Sequence, residues 1–328
     1  MKELTQKDLV LFEHIAGASQ SVLKKILGDY LKKIYKSENI IETEEYICAK
    51  GNIPIALVSH LDTVFKVVPT EIYYDKHKGV LWSPQGLGAD DRAGVFAILK
   101  IINSGLRPHV IFTTDEEIGG IGASILGMDG CPFEDLRFMI ELDRRGDMDC
   151  VFYDCDNKAF IKYIEKFGFI ENFGSFSDIC FLSPEWGIAA VNLSIGYKNE
   201  HSVSETLHVG SLFSTIDKVK TILSQPIDDI PEFEFVPAIN FYDWTKNLYP
   251  TYSTDIDYVC SICGQDFPEK DVVVAISSDG EDYNIFCKQC KPGIIECCAI
   301  CGEYFEIDPY DPTLKICKSC YDEVIKNA

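Results

Sequence analysis

The stretch IPIALVSHLDT, residues 53–63, carries the fold prediction because a short apolar run ends directly in polar residues. The run from Ile53 to Ser59 is typical of a buried strand. A second stretch, GLGADDRAG at residues 86–94, leads into a helical apolar pattern from Arg92 to Ile102. A buried strand followed by a helix is the repeating unit of α/β proteins.

The same alternation continues through the first two-thirds of the chain. Residues 5–36 carry the spacing of two helices, interrupted between Gly17 and Ser21. Further apolar runs predict strands at His109 to Thr113, Leu136 to Leu142, Cys150 to Tyr153 and Ile188 to Ile195, and helical patterns lie at Lys158 to Phe167 and Leu207 to Leu223. The sequence therefore predicts an α/β fold with a mixed, mostly parallel sheet flanked by helices.

Composition excludes several functional classes. The 328 residues include 52 acidic and 30 basic side chains, which give a formal net charge of −22. Such a surface repels phosphate backbones and anionic membranes, so nucleic-acid binding is disfavoured. Apolar runs of about 18 or more residues, the length that a membrane span needs, are absent. The N-terminus lacks a signal-peptide cleavage pattern, and we expect a cytoplasmic protein.

Five polar segments follow predicted strands or precede predicted helices, where α/β sheets place their sites. They are SHLDT at 59–63, GLGADDRAG at 86–94, TTDEEIGG at 113–120, IELDRRG at 140–146 and NEHSVSE at 199–205. Alternate residues of an extended chain share a face, so His60 can bind a metal while Asp62 orients it from behind. Alone, each segment also fits a hydrogen-bonded strand end, a helix cap or a solvated acidic turn. Their order is the specific signal.

In this order the segments resemble the motifs of the co-catalytic zinc aminopeptidase and carboxypeptidase clan, which includes the M28, M20 and M42 peptidase families. The matching motifs are HLD at 60–62, GADDRAG at 88–94, DEE at 115–117, ELD at 141–143 and EHS at 200–202. The sequence from Ser177 to Leu193 is similar to the M28 segment before the last histidine. The resemblance covers roughly residues 50–225 and implies a zinc-exopeptidase, phosphorylase/hydrolase-like fold.

Carried over residue by residue, the resemblance implies two catalytic ions of zinc, cobalt or manganese. Asp90 would bridge the ions, and His60 and Asp143 would complete one site. Glu117 and His201 would complete the other. Imidazole and carboxylate ligands suit zinc and leave room for a water molecule.

The resemblance also implies the catalytic pair. Glu116 falls on the position of the general base, and Asp62 on the position of the residue that orients His60. The implied reaction is hydrolysis of a peptide or N-acyl amino-acid amide by a water that two ions share. Glu116 would move the proton from that water to the leaving amine.

Two departures from the clan's motifs bear on which of the three families the chain is expected to resemble. M20 and M42 enzymes insert an extra domain, whereas only 57 residues lie between Asp143 and His201. This spacing predicts a compact, M28-like unit. A tyrosine often precedes the last histidine in M28 enzymes, but Glu200 stands there in this chain, and Tyr197 is the candidate replacement.

The sequence identifies candidate substrate contacts less specifically than candidate metal ligands. Arg144 and Arg145 are candidates for a bidentate pair with a substrate carboxylate, with neutralisation of nearby acids as the alternative. Asp178 either faces the substrate or caps a turn.

Composition divides the chain into three parts. Residues 1–225 are the predicted hydrolase domain, 226–257 an acidic, aromatic and proline-bearing linker, and 258–328 a cysteine-rich module. Aromatic side chains such as Phe233 are costly to expose together, so we expect the linker to pack on a folded surface. In the module, CSICGQDF at 260–267 matches CAICGEYF at 298–305, and FCKQC at 286–290 matches ICKSC at 316–320.

This internal repeat predicts two structural zinc ions in sequential four-cysteine sites, because a CxxC turn brings two thiolates to one metal. The predicted ligands are Cys260, Cys263, Cys287 and Cys290 in one site, and Cys298, Cys301, Cys317 and Cys320 in the other. Redox-active pairs are the alternative, which the repeated frame disfavours. Because the module is acidic, we expect a protein partner or a purely structural role.

The leading functional hypothesis is therefore a metal-dependent hydrolase that acts on a peptide or an acyl-amino acid. One alternative is a zinc-ribbon adaptor with a catalytically silent hydrolase-like domain. Another is a deacylase that acts on modified proteins or small conjugates. The presence of all five ligand positions and of the base favours an enzyme.

Overall fold

The computed structural model describes residues 3–238 and, beyond them, residues 257–262, 266–268, 272–276, 283–290, 295–297 and 304–306. The chain divides into two compact units, Met1–Asn240 and Phe241–Ala328. Among the described residues, no helix is both long enough and apolar enough to cross a membrane.

Seven α-helices lie in the described part of the first unit. Their bounds are α1 (Gln6–Ala16), α2 (Gln20–Tyr35), α3 (Ala89–Asn103), α4 (Ile121–Asp129), α5 (Lys158–Glu165), α6 (Ile179–Trp186) and α7 (Val209–Leu223). Thr5 caps α1, because its hydroxyl accepts a hydrogen bond from the Asp8 amide while the Asp8 carboxylate accepts one from Thr5. The two predicted N-terminal helices are confirmed. Helices α4 and α6 were not predicted.

A central sheet of eight strands organises the first unit. The strands of this unit are β1 (Ile40–Glu42), β2 (Tyr46–Ala49), β3 (Ile53–His60), β4 (Tyr73–Asp75), β5 (Val80–Trp82), β6 (Pro108–Thr113), β7 (Phe138–Arg144), β8 (Asp149–Val151), β9 (Ile170–Glu171), β10 (Ala190–Ser194), β11 (Tyr197–Lys198) and β12 (Thr206–His208). The central order is β1-β2-β6-β3-β7-β10-β8-β9, and β11-β12-β5-β4 form a smaller sheet. Strands β6, β3, β7 and β10 are parallel neighbours. The predicted mixed, mostly parallel sheet is confirmed.

Helices cover both faces of the central sheet, as the continuous apolar runs require. In β3, Ile55 and Leu57 point into one apolar cluster, together with residues of α1, α3 and α7. Ala56 and Val58 point into the opposite cluster, with residues of α4 and α6. Because successive side chains of a strand face opposite sides, a strand buried on both faces is apolar at every position.

The segment that follows α7 belongs to the first unit. Ile230 and Phe233 are buried in the main core. The Phe233 carbonyl accepts a hydrogen bond of 2.9 Å from the Ala189 amide, and the Phe233 amide donates one of 3.0 Å to Arg137. The first part of the predicted linker, to Ala238, is thus part of the folded unit rather than a connection. Residues 239–256 lie outside the described residues.

We expect Phe233→Ala to lower the free energy of unfolding of the first unit by about 3 kcal/mol, because the ring contacts Phe138, Phe160 and Tyr163. Urea unfolding measures this change. The control Val236→Ala, at a side chain that is 42% exposed, should stay within about 0.5 kcal/mol of the parent. Equal effects of the two substitutions would contradict the placement of this segment in the core.

The described part of the second unit is made of short strands. They are β13 (Asp257–Val259), β14 (Asp266–Pro268), β15 (Val272–Ile276), β16 (Tyr283–Cys287), β17 (Ile295–Cys297) and β18 (Tyr304–Glu306). β13 and β14 pair antiparallel, and β16-β15-β18-β17 form a four-stranded sheet. The buried apolar cluster described here consists of Ala275, Phe286 and Ile295, with Val273 packed against it. Such a cluster is too small to stabilise a domain by itself.

Candidate metal centre

The five polar segments meet at one edge of the central sheet. His60 ends β3, the acidic triplet from Asp115 to Glu117 follows the end of β6, and Asp143 lies near the end of β7. Asp90 is in the first turn of α3, and His201 lies in the loop between β11 and β12. The carboxyl ends of parallel strands share an edge, so the sheet topology brings these distant segments together.

Asp90 lies between the two histidines, and each of its carboxylate oxygens faces a different ring. Oδ1 of Asp90 is 3.3 Å from Nε2 of His60, and Oδ2 is 3.2 Å from Nε2 of His201. Oδ1 of Asp143 is 3.7 Å from the same nitrogen of His60. Oε2 of Glu117 is 3.0 Å from Nε2 of His201. Asp90 therefore lies in the middle of the five residues. His60 and Asp143 lie on one side of it, and His201 and Glu117 lie on the other.

Asp62 lies behind this cluster and orients two of its parts. Its Oδ1 is 3.1 Å from Nδ1 of His60, which turns Nε2 of that ring toward Asp90. The backbone amides of Glu116 and Glu117 each donate a hydrogen bond of 3.0 Å to the Asp62 carboxylate. One buried carboxylate thus fixes both the ring on β3 and the backbone that carries the two glutamates.

Glu205 fixes the start of α3, a role that sequence analysis did not assign. Its carboxylate accepts hydrogen bonds of 3.1 Å from the Ala89 amide and 3.0 Å from the Asp90 amide. Gly88 precedes this turn with a φ of 64°, a left-handed conformation that glycine adopts without strain. Because Glu205 lies four residues after His201, it connects the histidine loop to the residue that both histidines share.

We expect Glu205→Gln to lower the free energy of unfolding by about 1–3 kcal/mol. The amide group would place an NH2 donor against one of two backbone donors, which would then be buried without an acceptor. Chemical denaturation of the metal-free protein measures this change, with Glu165→Gln on the exposed side of α5 as the control. If the two variants were equally stable, the capping role of Glu205 would be refuted.

Burial and mutual repulsion change the proton affinities of the cluster. Burial, with the nearby charge of Asp143, raises the pKa of Glu116 to about 9. Burial and Asp90 raise the pKa of Glu117 to about 7. A hydrogen bond to Asp90 raises the pKa of His201 to about 9. Burial alone would raise the pKa of Asp90, but the hydrogen bonds from both histidines hold that pKa below its usual range. The cluster therefore attracts positive charge.

The donor set fits divalent metal ions. Ligand atoms of His60, Asp90 and Glu117 all lie within 4.8 Å of one another. Oε1 of Glu117 is buried and has no hydrogen-bond partner among the described residues. Imidazole nitrogens and carboxylate oxygens are the usual ligands of catalytic zinc, cobalt and manganese. A cation would satisfy the orphaned oxygen and relieve the repulsion between the acids.

The cluster opens into a cleft of about 430 Å³. The lining residues that sequence analysis predicted are Asp90, Glu116, Glu117, Asp143, Arg144, Arg145, Tyr197 and His201, and those it missed include Tyr153, Ser175 and Phe176. Arg145 Nη1 is 2.7 Å from Oε1 of Glu200, and Arg144 donates to the carbonyl oxygen of Phe173. Tyr153 and Phe176 lie outside the charged motifs, so no local pattern in the sequence marked them as cleft residues.

Two predicted substrate contacts have a different environment from the one expected. Asp178 is fully buried, and its carboxylate accepts a hydrogen bond from the Thr113 hydroxyl. Its side chain is therefore shielded from solvent in this structure, and its role as a substrate contact stays a prediction. Tyr197 lines the cleft, but its hydroxyl donates a 3.0 Å hydrogen bond to Oδ1 of Asp143. Its proton is thus engaged by a predicted metal ligand.

The chain between Asp143 and His201 contains no separate domain. It forms strands β8 to β11 and helices α5 and α6, all within the first unit. The compactness expected from the short spacing is found. Assignment to the M28 pattern stays a prediction.

Solved structures of peptidases have a similar fold. A tripeptidase from Staphylococcus aureus subsp. aureus Mu50 matches with a TM-score of 0.56 and 16% identity, over 66% of this chain and 97% of that chain. A TET aminopeptidase from the archaeon Thaumarchaeota archaeon SCGC AB-539-E09 matches with a TM-score of 0.50 and 15% identity, over 67% and 97%. No protein-family profile and no curated protein sequence matches the chain. At these identities the similarity establishes the fold.

Proposed function

We propose that the first unit is a metal-dependent peptidase that binds two ions at the cluster around Asp90. The observation that carries the proposal is the orientation of Asp90, whose two oxygens face His60 and His201 separately. A carboxylate held in this way can bridge two ions, with Asp143 beside the first histidine and Glu117 beside the second. Bound ions would supply a water of lowered pKa and would polarise the scissile carbonyl.

Glu116 is the proposed general base. It lines the cleft, and its Oε2 is 4.0 Å from Nε2 of His60, at the edge of the ligand cluster rather than within it. The hydrogen bond from its amide to Asp62 fixes its backbone. A glutamate so placed takes a proton from the attacking water and returns it to the leaving amine. Cations near it would lower its raised pKa and free it to accept that proton.

The proposed substrate is a short peptide. The two structural neighbours are a tripeptidase and an aminopeptidase, which favours peptides over N-acyl amino acids. Arg144 and Arg145 line the cleft and are the proposed contacts for a substrate carboxylate. The intact ligand set and the position of Glu116 in the cleft lining argue against a catalytically silent domain.

A substrate panel tests this proposal. We expect the zinc-, cobalt- or manganese-loaded protein to hydrolyse dipeptides, tripeptides or aminoacyl amides faster than acyl-amino acids. Amidated and free-acid forms of each peptide show whether a terminal carboxylate is recognised. Complete inactivity of the metal-loaded protein on the whole panel would contradict a peptidase function.

Glu116→Gln should retain both ions and lower kcat by about 100-fold or more, because the base is removed while the ligands remain. Metal analysis by mass spectrometry and steady-state kinetics measure the two effects. The comparison variant Asp90→Asn should lose metal as well as activity, since it removes the shared charge. Near-normal turnover of a Glu116→Gln protein that holds both ions would refute the assigned base.

A further inference from the structure

Three cysteines of the second unit lie together although they come from separate parts of its sequence. Cys260 directly follows β13, Cys287 ends β16, and Cys290 lies in the turn after β16. Their sulfur atoms all lie within 4.8 Å of one another. Cys260 and Cys287 are each only 1% exposed. The packing thus gathers thiols that are 27 residues apart.

Backbone hydrogen bonds hold the two cysteine-bearing loops against each other. The Ser261 amide donates to the carbonyl oxygen of Ile285 at 2.7 Å, and the Ile285 amide donates to the Ser261 hydroxyl at 3.1 Å. The Cys287 amide donates to the sulfur of Cys260 at 3.4 Å. An N–H group directed at a sulfur stabilises the thiolate form, which is the form that binds metals.

We propose that these cysteines bind one structural zinc ion, separate from the catalytic centre. Sulfur ligands at 2.3 Å from a tetrahedral ion lie about 3.8 Å from one another, so a small contraction of the observed cluster would complete the site. The described residues supply three sulfur donors of such a site. Zinc would add stability to a unit whose described apolar cluster is small.

Metal analysis of the full chain tests this site. We expect Cys287→Ser to lose about one zinc per chain relative to the parent, while peptide hydrolysis is retained. Cys131→Ser, a substitution at a thiol of the first unit, is the matched control and should lose none. An unchanged zinc content in a folded Cys287→Ser protein would overturn the proposal.

Cobalt substitution of the unmodified full chain keeps the proposal falsifiable if Cys287→Ser fails to fold. We expect an intense thiolate-to-cobalt charge-transfer band in the near ultraviolet, since cysteine ligands produce it and oxygen or nitrogen ligands do not. A cobalt-loaded chain without this band, or a thiol count that shows these cysteines as disulfides, would equally overturn the proposal.

A second inference concerns the strand that carries Asp143. β7 and β10 pair in register up to Glu141 and Asn192, but the next pair is Arg144 with Ser194. Three residues along β7 thus span the same length of the ladder as two residues along β10. This irregularity is a β-bulge. The bulge contains Asp143 and breaks the backbone ladder at this point. Bulges are frequent beside active sites because they redirect a side chain.

The side chain of Asn192 replaces the lost ladder bonds. Its Oδ1 accepts from the Asp143 amide at 3.0 Å, and its Nδ2 donates to the Asp143 carbonyl at 2.8 Å. The same Nδ2 lies 3.1 Å from the hydroxyls of Tyr153 and Ser177. Asn192 is 1% exposed, so these contacts lie away from water. The side-chain amide of Asn192 thus makes the two hydrogen bonds that a backbone peptide group makes in a regular ladder.

We infer that Asn192 is a positioning residue that sets the direction of the Asp143 carboxylate toward His60. This inference rests on the proposed two-ion centre. An asparagine is required because the site needs one acceptor and one donor on the same planar group. Aspartate has the same shape but would face the Asp143 carbonyl with a second acceptor.

Competition with a chelator tests this role without any need for hydrolysis. We expect Asn192→Asp to weaken the binding of one zinc by about 10–100-fold, with the second ion bound as in the parent. Ser194→Ala is the matched control, because Ser194 bonds to Arg145 and Asp149 backbone atoms and not to Asp143. Urea unfolding of the metal-free variants separates metal affinity from stability.

The outcomes distinguish the inference from the proposed function. Failure of the parent protein to bind a pair of ions would refute the two-ion centre itself. If the parent binds both ions and Asn192→Asp binds them equally well, only the positioning role is refuted. A variant that is less stable but keeps both affinities would show a purely structural role and would also refute the inference.

Discussion

Several carboxylates lie close together at the carboxyl edge of the central sheet, where they repel one another. The contacts around them hold them in place against this repulsion. Asp90, Glu116 and Glu141 are all buried, and Asp143 lies beside them. In a medium of low polarisability, such groups cannot all be ionised without compensation by protons, imidazoles or cations. Two histidines meet part of that requirement. The remaining negative charge makes this edge attractive to cations.

Each group that holds the cluster connects two elements that are distant in the sequence. Asp62 bonds to the ring on its own strand and to the backbone of the acidic triplet. Glu205 bonds the loop that carries His201 to the first turn of α3. Asn192 bonds β10 to the bulge of β7. Because each of these groups makes several hydrogen bonds in a buried or partly buried position, displacement of one element would leave unsatisfied polar groups in another.

The two units use different donor chemistry. In the first unit, nitrogen and oxygen ligands line an open cleft, which is the arrangement that leaves a coordination position for water. In the second unit, Cys260 and Cys287 are buried and the Cys287 amide donates to the sulfur of Cys260, an environment that suits a closed site. Under the two proposals, catalysis would use nitrogen and oxygen ligands in the first unit, and stabilisation would use sulfur ligands in the second.

The sequence by itself determined the alternation of strands and helices and predicted the polar residues that meet at one edge of the sheet. Apolar runs and the polar residues at their ends are local patterns, and parallel strands bring their carboxyl ends to a common edge. His60, Asp90 and Asp143 were named as candidate ligands because the order of the motifs resembles that of a peptidase clan. The short spacing before His201 likewise predicted a compact unit.

Only the tertiary structure decided how those residues are held. The contacts of Glu205 with Asp90 and of Asn192 with Asp143 span 115 and 49 residues, so no local pattern marks them. Phe233 lies in a segment interrupted by prolines, where apolar periodicity is absent although the ring enters the core. Asp178 is fully buried and accepts a hydrogen bond from Thr113, which lies 65 residues away in the sequence. Side-chain burial and long-range hydrogen bonding depend on which elements become neighbours, and that is fixed only when the sheet is assembled.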